Sequence, residues 1–414
     1  MNVETYIKEF TLLWNSASPE FSRITEIIPY DEKLKREDGL IKFSKALRSD
    51  VDFKKMKGEV REQFIRQFQE NIAAFFQNSL NFNSREVAIV GQSGMLNITK
   101  EFMLMARRFD PHVKLDDVFQ ASRNLWIINS LQIMMNVPVK LTPSVFAYSM
   151  LYPYSDNYLD DKEITIVEKM EFSQRFRQRL NGATVIPANE REKIIFDLVT
   201  MIEGDWDREQ FPGVYESLLA IHDAQTRSIE LMKSDLNIDE DELLSICLEK
   251  GGTSVVADGY LISGTLSPEQ EKFCFGFGAF LQFVDDIQDI AEDSDGQLIT
   301  LFTYAAAHKK LEVFVNKTIT FGQAVMDDLS CFAGLVLDDM SSLMVKSNSF
   351  LLNEAVGLNS EYYSQDFCDR FETSSPFRFE FIRKRRSNLE ENRISLMNKM
   401  GSFIFDESEL AMQA

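Results

Sequence analysis

Between Pro212 and Pro268, and again from Pro268 to Pro376, the chain contains no proline. Proline in a helix interior removes a hydrogen bond and costs roughly 3 kcal/mol, so such intervals admit long unbroken helices. Apolar residues recur at helical spacing in Phe64, Phe68, Ile72 and Phe75, in Leu125, Ile128, Leu131 and Met135, and in Phe273, Phe277, Phe280 and Val284. No segment alternates apolar and polar residues over the length of a strand, and an all-α bundle is predicted. Thr142-Pro143 and Ser267-Pro268 each read as an N-cap followed by proline at the first helical position. Pro153 falls inside the first of these helices and is expected to bend or restart it. Gly251-Gly252-Thr253-Ser254, with Gly259 and Gly264 beyond, is expected to break or kink a helical region.

With 414 residues, 44% hydrophobic and 12% aromatic, the chain has material for a large core. We expect a single all-α domain: a helical extension over 1–100, a core over 101–320, and C-terminal helices over 321–414. The balance of 44 basic against 65 acidic side chains, net −21, argues against nucleic acid or an anionic membrane as the main partner. Cys247, Cys274, Cys331 and Cys368 show neither CxxC pairing nor zinc-ligand spacing, and read as reduced core residues. His112, His222 and His308 are scattered without a spaced partner. Met1-Asn2-Val3-Glu4 lacks the features of a signal peptide, and no apolar run is long enough to span a bilayer. A cytoplasmic protein without a transmembrane segment is expected.

Two acidic clusters stand inside the apolar, aromatic helices opened by those N-caps. The first is Asp156-Asn157-Tyr158-Leu159-Asp160-Asp161, and the second runs from Gln282 through Asp285, Asp286, Asp289 and Glu292 to Asp293. Residues four apart share a helix face, so Asp156 stands beside Asp160, and Asp285, Asp289 and Asp293 form one column. Their flanks, Phe146 to Tyr152 and Phe273 to Phe280, are unlike a solvated surface. Like charges so placed repel, and hard oxygen ligands of this kind suit Mg²⁺, which keeps coordination positions open for phosphate oxygens. Each cluster lies about four turns from its helix start and is expected deep in the bundle rather than at a surface end.

These motifs resemble those of the class I isoprenoid synthases, the all-α superfamily of trans-prenyl diphosphate synthases, squalene and phytoene synthases, and class I terpene cyclases. The first cluster resembles the DxxxD motif of the squalene and phytoene branch. Gly278 to Asp289 resembles the second motif of prenyl diphosphate synthases, and Asp285, Asp289 and Asp293 match the ligand positions of the second terpene-cyclase metal motif. The squalene-type pattern QxxNxxRDxxED is met at Gln282, Asp289, Glu292 and Asp293, with Asp285 in place of its Asn and Gln288 in place of its Arg. The resemblance covers roughly residues 115 to 320.

It implies an antiparallel helix bundle around a central cavity. The implied activity is a Mg²⁺-dependent terpene synthase that ionises farnesyl or geranylgeranyl diphosphate, cyclises or rearranges the carbocation, and releases pyrophosphate; a homodimer is compatible with it. Asp156, Asp160, Asp285 and Asp289 are the implied catalytic residues. The metal set comprises these with Asp161, Asp286 and Asp293, and Glu292 stands beside it. Arg123, Arg175, Arg179, Lys250 and Gln282 are the implied substrate-binding or orienting residues. Lys250 to Ser254 resembles the broken helix of the family. Trp126, Tyr148, Tyr152 and Phe280 are the rings nearest the motifs, among thirty-four Phe, eleven Tyr and three Trp available to wall a dry pocket. The alternatives are a prenyl transferase joining two isoprenoid diphosphates and a non-catalytic helical scaffold. Chain elongation in the family uses an N-terminal GKxxRP-like segment, which this chain lacks.

Overall fold

The computed structural model describes residues 1–21, 27–47, 58–161, 164–231, 239–296 and 298–386, without the side chains of 46, 47, 60–62, 64, 65, 68, 69, 160, 230 and 231. All regular structure among the described residues is helical. In chain order the helices are α1 (Val3–Ser16), α2 (Tyr30–Leu47), α3 (Glu59–Leu80), α4 (Ser84–Gln92), α5 (Met95–Phe109) and α6 (Leu115–Met134). There follow α7 (Pro143–Asp160), α8 (Ile166–Leu180), α9 (Glu190–Asp205), α10 (Pro212–Leu231), α11 (Glu240–Ser263) and α12 (Pro268–Gln288). The last are α13 (Ile290–Asp295), α14 (Leu301–Ala307), α15 (Leu311–Asp327), α16 (Leu337–Leu358) and α17 (Gln365–Glu372). None of the described helices is long and apolar enough to cross a membrane.

The chain divides into two compact units. One joins Met1–Ser22 to Asp116–Leu337, and the other joins Arg23–Leu115 to Asp338–Ala414. The first helix thus belongs to the unit that holds both acidic clusters. In the second unit α2 packs on α3, and the buried Glu37 takes a bidentate pair from Arg378, with Nη2 at 2.7 Å from Oε2 and Nε at 3.0 Å from Oε1.

In the first unit α11 and α12 form the central pair, with α10 against α11 and α15 against α12. A β-carbon on Gly251 would lie 2.5 Å from the Gly278 carbonyl oxygen and 2.6 Å from Gln282 Cβ, and one on Gly259 would meet Cys274 Sγ at 3.3 Å. Residue numbers rising along α11 meet numbers falling along α12, so the helices are antiparallel with backbones in contact at the glycines. The glycines thus form a packing seam: α11 runs unbroken through Gly251-Gly252, where a break was expected. Its actual end is Gly264, whose φ of 75° is a left-handed C-cap.

Both predicted N-caps are present. Thr142 accepts from the Val145 amide and Ser267 makes a capping box with Gln270. The start of α7 is also anchored from α9, because Asp205 accepts from the Ser144 amide at 2.7 Å. Pro153 does not restart α7, which is helical to Asp160. Leu125, Ile128 and Leu131 are fully buried, and Phe273, Phe277, Phe280 and Val284 are buried as well. Phe64 and Phe68 carry side chains outside the described set. Many rings are ordinary core: Trp14 of α1 packs on Phe283 at 4.7 Å and on Phe314 at 5.5 Å between centroids.

Candidate functional site

The first cluster occupies the last turn of α7; in the second, Asp285 and Asp286 lie in the last turn of α12, Asp289 stands between α12 and α13, and Glu292 and Asp293 lie in the first turn of α13. The C-terminal end of α12 carries the negative pole of its helix dipole, which adds to the repulsion at Asp285 and Asp286. Asp156 is buried. Its Oδ1 accepts from Gln225 Nε2 of α10 at 2.6 Å and from Ser155 Oγ at 3.2 Å. Asn157 Nδ2 donates to Asp117 Oδ1 at 3.2 Å, which ties this turn to α6. Asp160 closes the helix, and its side chain lies outside the described residues. Asp161 is the first residue beyond, with its carbonyl accepting from the Ile164 amide at 3.3 Å.

In the second cluster α12 ends at Gln288 and α13 begins at Ile290, with Asp289 at the junction. The Asp289 amide still donates to the Asp285 carbonyl at 2.9 Å and the Asp293 amide to the Asp289 carbonyl at 2.8 Å, so the four-residue links persist across the junction. Asp285 Oδ1 pairs with Arg123 Nη2 at 2.9 Å. Asp286 accepts from Gln282 Nε2 at 2.8 Å, one turn below, and from the Cys247 thiol at 3.3 Å. The carboxylates of Asp289 and Asp293 accept no hydrogen bond and form no ion pair among the described residues.

The electrostatics follow from that partition. Burial raises Asp286 to about 6, against the hydrogen bond from Gln282 and the charge of Lys250. Asp289 is raised to about 7 by burial and then by Asp285, Asp293 and Glu292, with Arg123 opposing. Asp293 is raised to about 7 by burial and then by Asp286, with Lys250 opposing. Arg123 therefore serves the Asp285–Asp289 side and Lys250 the Asp286–Asp293 side. A cation placed here would return these acids to their charged form.

Tyr152 joins the two motifs. Its phenol is pushed up by burial and then by Asp156 of the first motif and Asp285 of the second, while Lys250 and Arg123 pull it down. Tyr152 is 41% exposed and the Arg123 side chain 67% exposed; burial lowers the Arg123 guanidinium, but the charge and hydrogen bond of Asp285 outweigh it and raise it above its ordinary value. Below them lies a polar layer: the Tyr148 hydroxyl donates to the Ser254 carbonyl at 3.0 Å, and Asn124 Nδ2 donates to Asp258 Oδ1 at 3.1 Å. Burial drives the fully enclosed Asp258 carboxyl well above its ordinary range.

The other basic residues named from the sequence go elsewhere. Arg175 pairs with the buried Glu192, Nε at 3.0 Å and Nη2 at 2.6 Å, and Arg179 pairs with Glu203 at 2.5 Å, so both brace α8 against α9. His222 is buried with Nε2 3.2 Å from Ser173 Oγ. A cavity of about 920 Å³ beside it, between α8 and α10, is lined by Met170, Gln174 and Thr226 among others and includes none of the aspartates of the two motifs. Gln225 and Cys247, which hold Asp156 and Asp286, carry no local sequence signal; only the approach of α10 and α11 reveals them.

Among the described residues no group of three or more His, Cys, Asp or Glu is already gathered as a metal site. Mg²⁺ does not require one, because it is commonly held by one or two carboxylates with phosphate oxygens and water completing the shell. The donor chemistry fits such an ion: carboxylate oxygens, two of the groups without a competing partner, with Arg123 and Lys250 beside them.

No protein-family model matches the chain, and no curated protein matches it. Among solved structures it is similar to isoprene synthase from grey poplar leaves (Populus x canescens), in complex with three Mg²⁺ ions and dimethylallyl-S-thiolodiphosphate. The two are 11% identical, with 91% of this chain and 85% of that chain covered and a TM-score of 0.39. Superposition at that level carries nothing about chemistry.

Proposed function

We propose that the chain is a Mg²⁺-dependent terpene synthase acting on farnesyl or geranylgeranyl diphosphate, with cyclisation or rearrangement of the carbocation and release of pyrophosphate. The observation that supports this reading is that Asp289 and Asp293 are unpartnered among the described residues, with Arg123 paired to the neighbouring Asp285, while the charges of both motifs, Asp156 and Asp285, act on the Tyr152 phenol. Asp156 and Asp160 from α7, and Asp285, Asp289 and Asp293 from the other side, would hold the metal, with Asp161, Asp286 and Glu292 alongside. Bound Mg²⁺ draws charge onto the diphosphate and favours breaking its carbon–oxygen bond.

The chain's own groups do the rest. Arg123, exposed and paired among the described residues with one oxygen of Asp285, turns toward the diphosphate as substrate enters, and Lys250 neutralises it from α11. Burial keeps the Tyr152 phenol protonated, so that its hydroxyl is a donor to an anionic oxygen. Arg175 and Arg179, committed to Glu192 and Glu203, take no part.

The test is incubation of purified protein with Mg²⁺ and, separately, geranyl, farnesyl and geranylgeranyl diphosphates. Extracts are read by gas chromatography and mass spectrometry beside an Asp289→Ala control. An Asp289-dependent cyclic product from a single substrate supports the proposal. A product that forms only with added isopentenyl diphosphate moves the assignment to a prenyl transferase. With neither product nor pyrophosphate release, the enzymatic reading fails and a scaffold remains.

A further inference from the structure

Asp286 differs from its neighbours in having donors on both carboxylate oxygens: Gln282 Nε2 on Oδ1 at 2.8 Å and Cys247 Sγ on Oδ2 at 3.3 Å. These donors come from two helices. Gln282 is one turn earlier on α12, while Cys247 is one turn before Gly251 on α11. The missing β-carbon of Gly251 lets α11 lie directly against Gly278 and Gln282. In the antiparallel pair, a step of one turn down α11 is matched by one turn up α12, so the contact of 251 with 282 sets 247 opposite 286. Cys247 is buried at 6% exposure, and its thiol hydrogen-bonds this carboxylate from α11.

We propose that Cys247 is a positioning residue for the acidic column. Its thiol, with Gln282, fixes Asp286 as an anchor between α11 and α12, and the anchored carboxylate sets the rotation at which Asp285, Asp289 and Asp293 face the cation. Asp286 is then withdrawn from the ligand set, and the glycine seam and the metal face become one mechanical unit. The inference rests on the metal–diphosphate reading above and, among the aspartates of the second cluster, separates Asp286, which is held, from Asp285, Asp289 and Asp293, which hold.

Thermal unfolding of the full chain against Mg²⁺ concentration, at fixed inorganic pyrophosphate, tests it without requiring turnover. Wild type should rise in midpoint as Mg²⁺ is added. Cys247→Ala should need on the order of tenfold more Mg²⁺ for the same rise, the usual cost of removing a group that orients a ligand set. Cys247→Ser, which keeps a donor, should stay close to wild type. In parallel, the Raman S–H stretching band should lose a hydrogen-bonded component in Cys247→Ala, and that component should move toward the free-thiol position in Asp286→Ala. A wild type that responds while Cys247→Ala responds identically overturns the proposal alone. Failure of serine to rescue, or a thiol band unmoved in Asp286→Ala, also overturns it. A wild type blind to Mg²⁺ and pyrophosphate overturns the functional reading and this proposal with it.

Discussion

Glu86, in the unit of residues 23–115 and 338–414, and Asp289, in the other, are both acids withdrawn from water, and they are treated in opposite ways. Glu86 is fully buried, accepts from Ser342 Oγ at 2.5 Å and from Lys346 Nζ at 2.9 Å, and caps α4 through the Asn83 amide at 2.7 Å. Burial acts to raise its pKa, but these bonds outweigh it and hold the carboxyl below its ordinary range. Asp289 has no such donors among the described residues, sits beside Asp285, Asp293 and Glu292, and is pushed to about 7. A satisfied buried charge acts as a brace; an unsatisfied one among like charges is what supports the cation site proposed at Asp289.

The largest effect expected from that contrast is at Asp289. Asp289→Ala should lower turnover by at least about a hundredfold and blunt the Mg²⁺–pyrophosphate stabilisation, while leaving unliganded helicity and midpoint intact because it removes repulsion. A destabilised apo protein with normal activity would reverse the comparison.

Glu86→Ala should do the converse. Removing the acceptor of Ser342 and Lys346 and uncapping α4 should cost about 3 kcal/mol in denaturant unfolding, with the dependence of the midpoint on Mg²⁺ and pyrophosphate unaltered. If instead Glu86→Ala abolished ligand response, the brace would be part of the site.

A third buried group gives a pH signature. Burial lowers His222 from 6.5 to about 4, so the folded protein binds fewer protons than the unfolded chain between those values. Its contribution is present above pH 6.5 and is lost as pH falls toward 4, on the order of 3 kcal/mol in all. Equilibrium unfolding of wild type and His222→Gln across that window should show the difference shrink as the pH drops. A constant gap would mean that His222 is protonated in the fold.

The smallest effects compare two glycines. A β-carbon on Gly278 would clash with the Gly251 carbonyl, so Gly278→Ala should cost about 1–3 kcal/mol and weaken Mg²⁺–pyrophosphate binding by displacing α12. A β-carbon on Gly91, within α4, would meet nothing within 4 Å, and Gly91→Ala should stabilise by about 0.5–1 kcal/mol. Unfolding curves of the pair should diverge in sign.

Helical class, the two N-caps and the four-residue spacing of the acids were determined by the sequence itself, because each depends on neighbours within one or two turns. The same local logic misplaced Gly251-Gly252: permissive backbone is consistent with a break, but whether a glycine kinks a helix or admits another depends on what lies opposite it, here Gly278 and Gln282. Arg123, Arg175 and Arg179 were equivalent as sequence, and only packing separated them, giving Asp285 to the first and Glu192 and Glu203 to the others. Gln225 on Asp156 and Cys247 on Asp286 had no signature at all. Spacing along one helix fixes which residues share a face; which partner that face meets is set by contacts between residues distant in the chain, and it was these contacts that left Asp289 and Asp293 without a donor among the described residues.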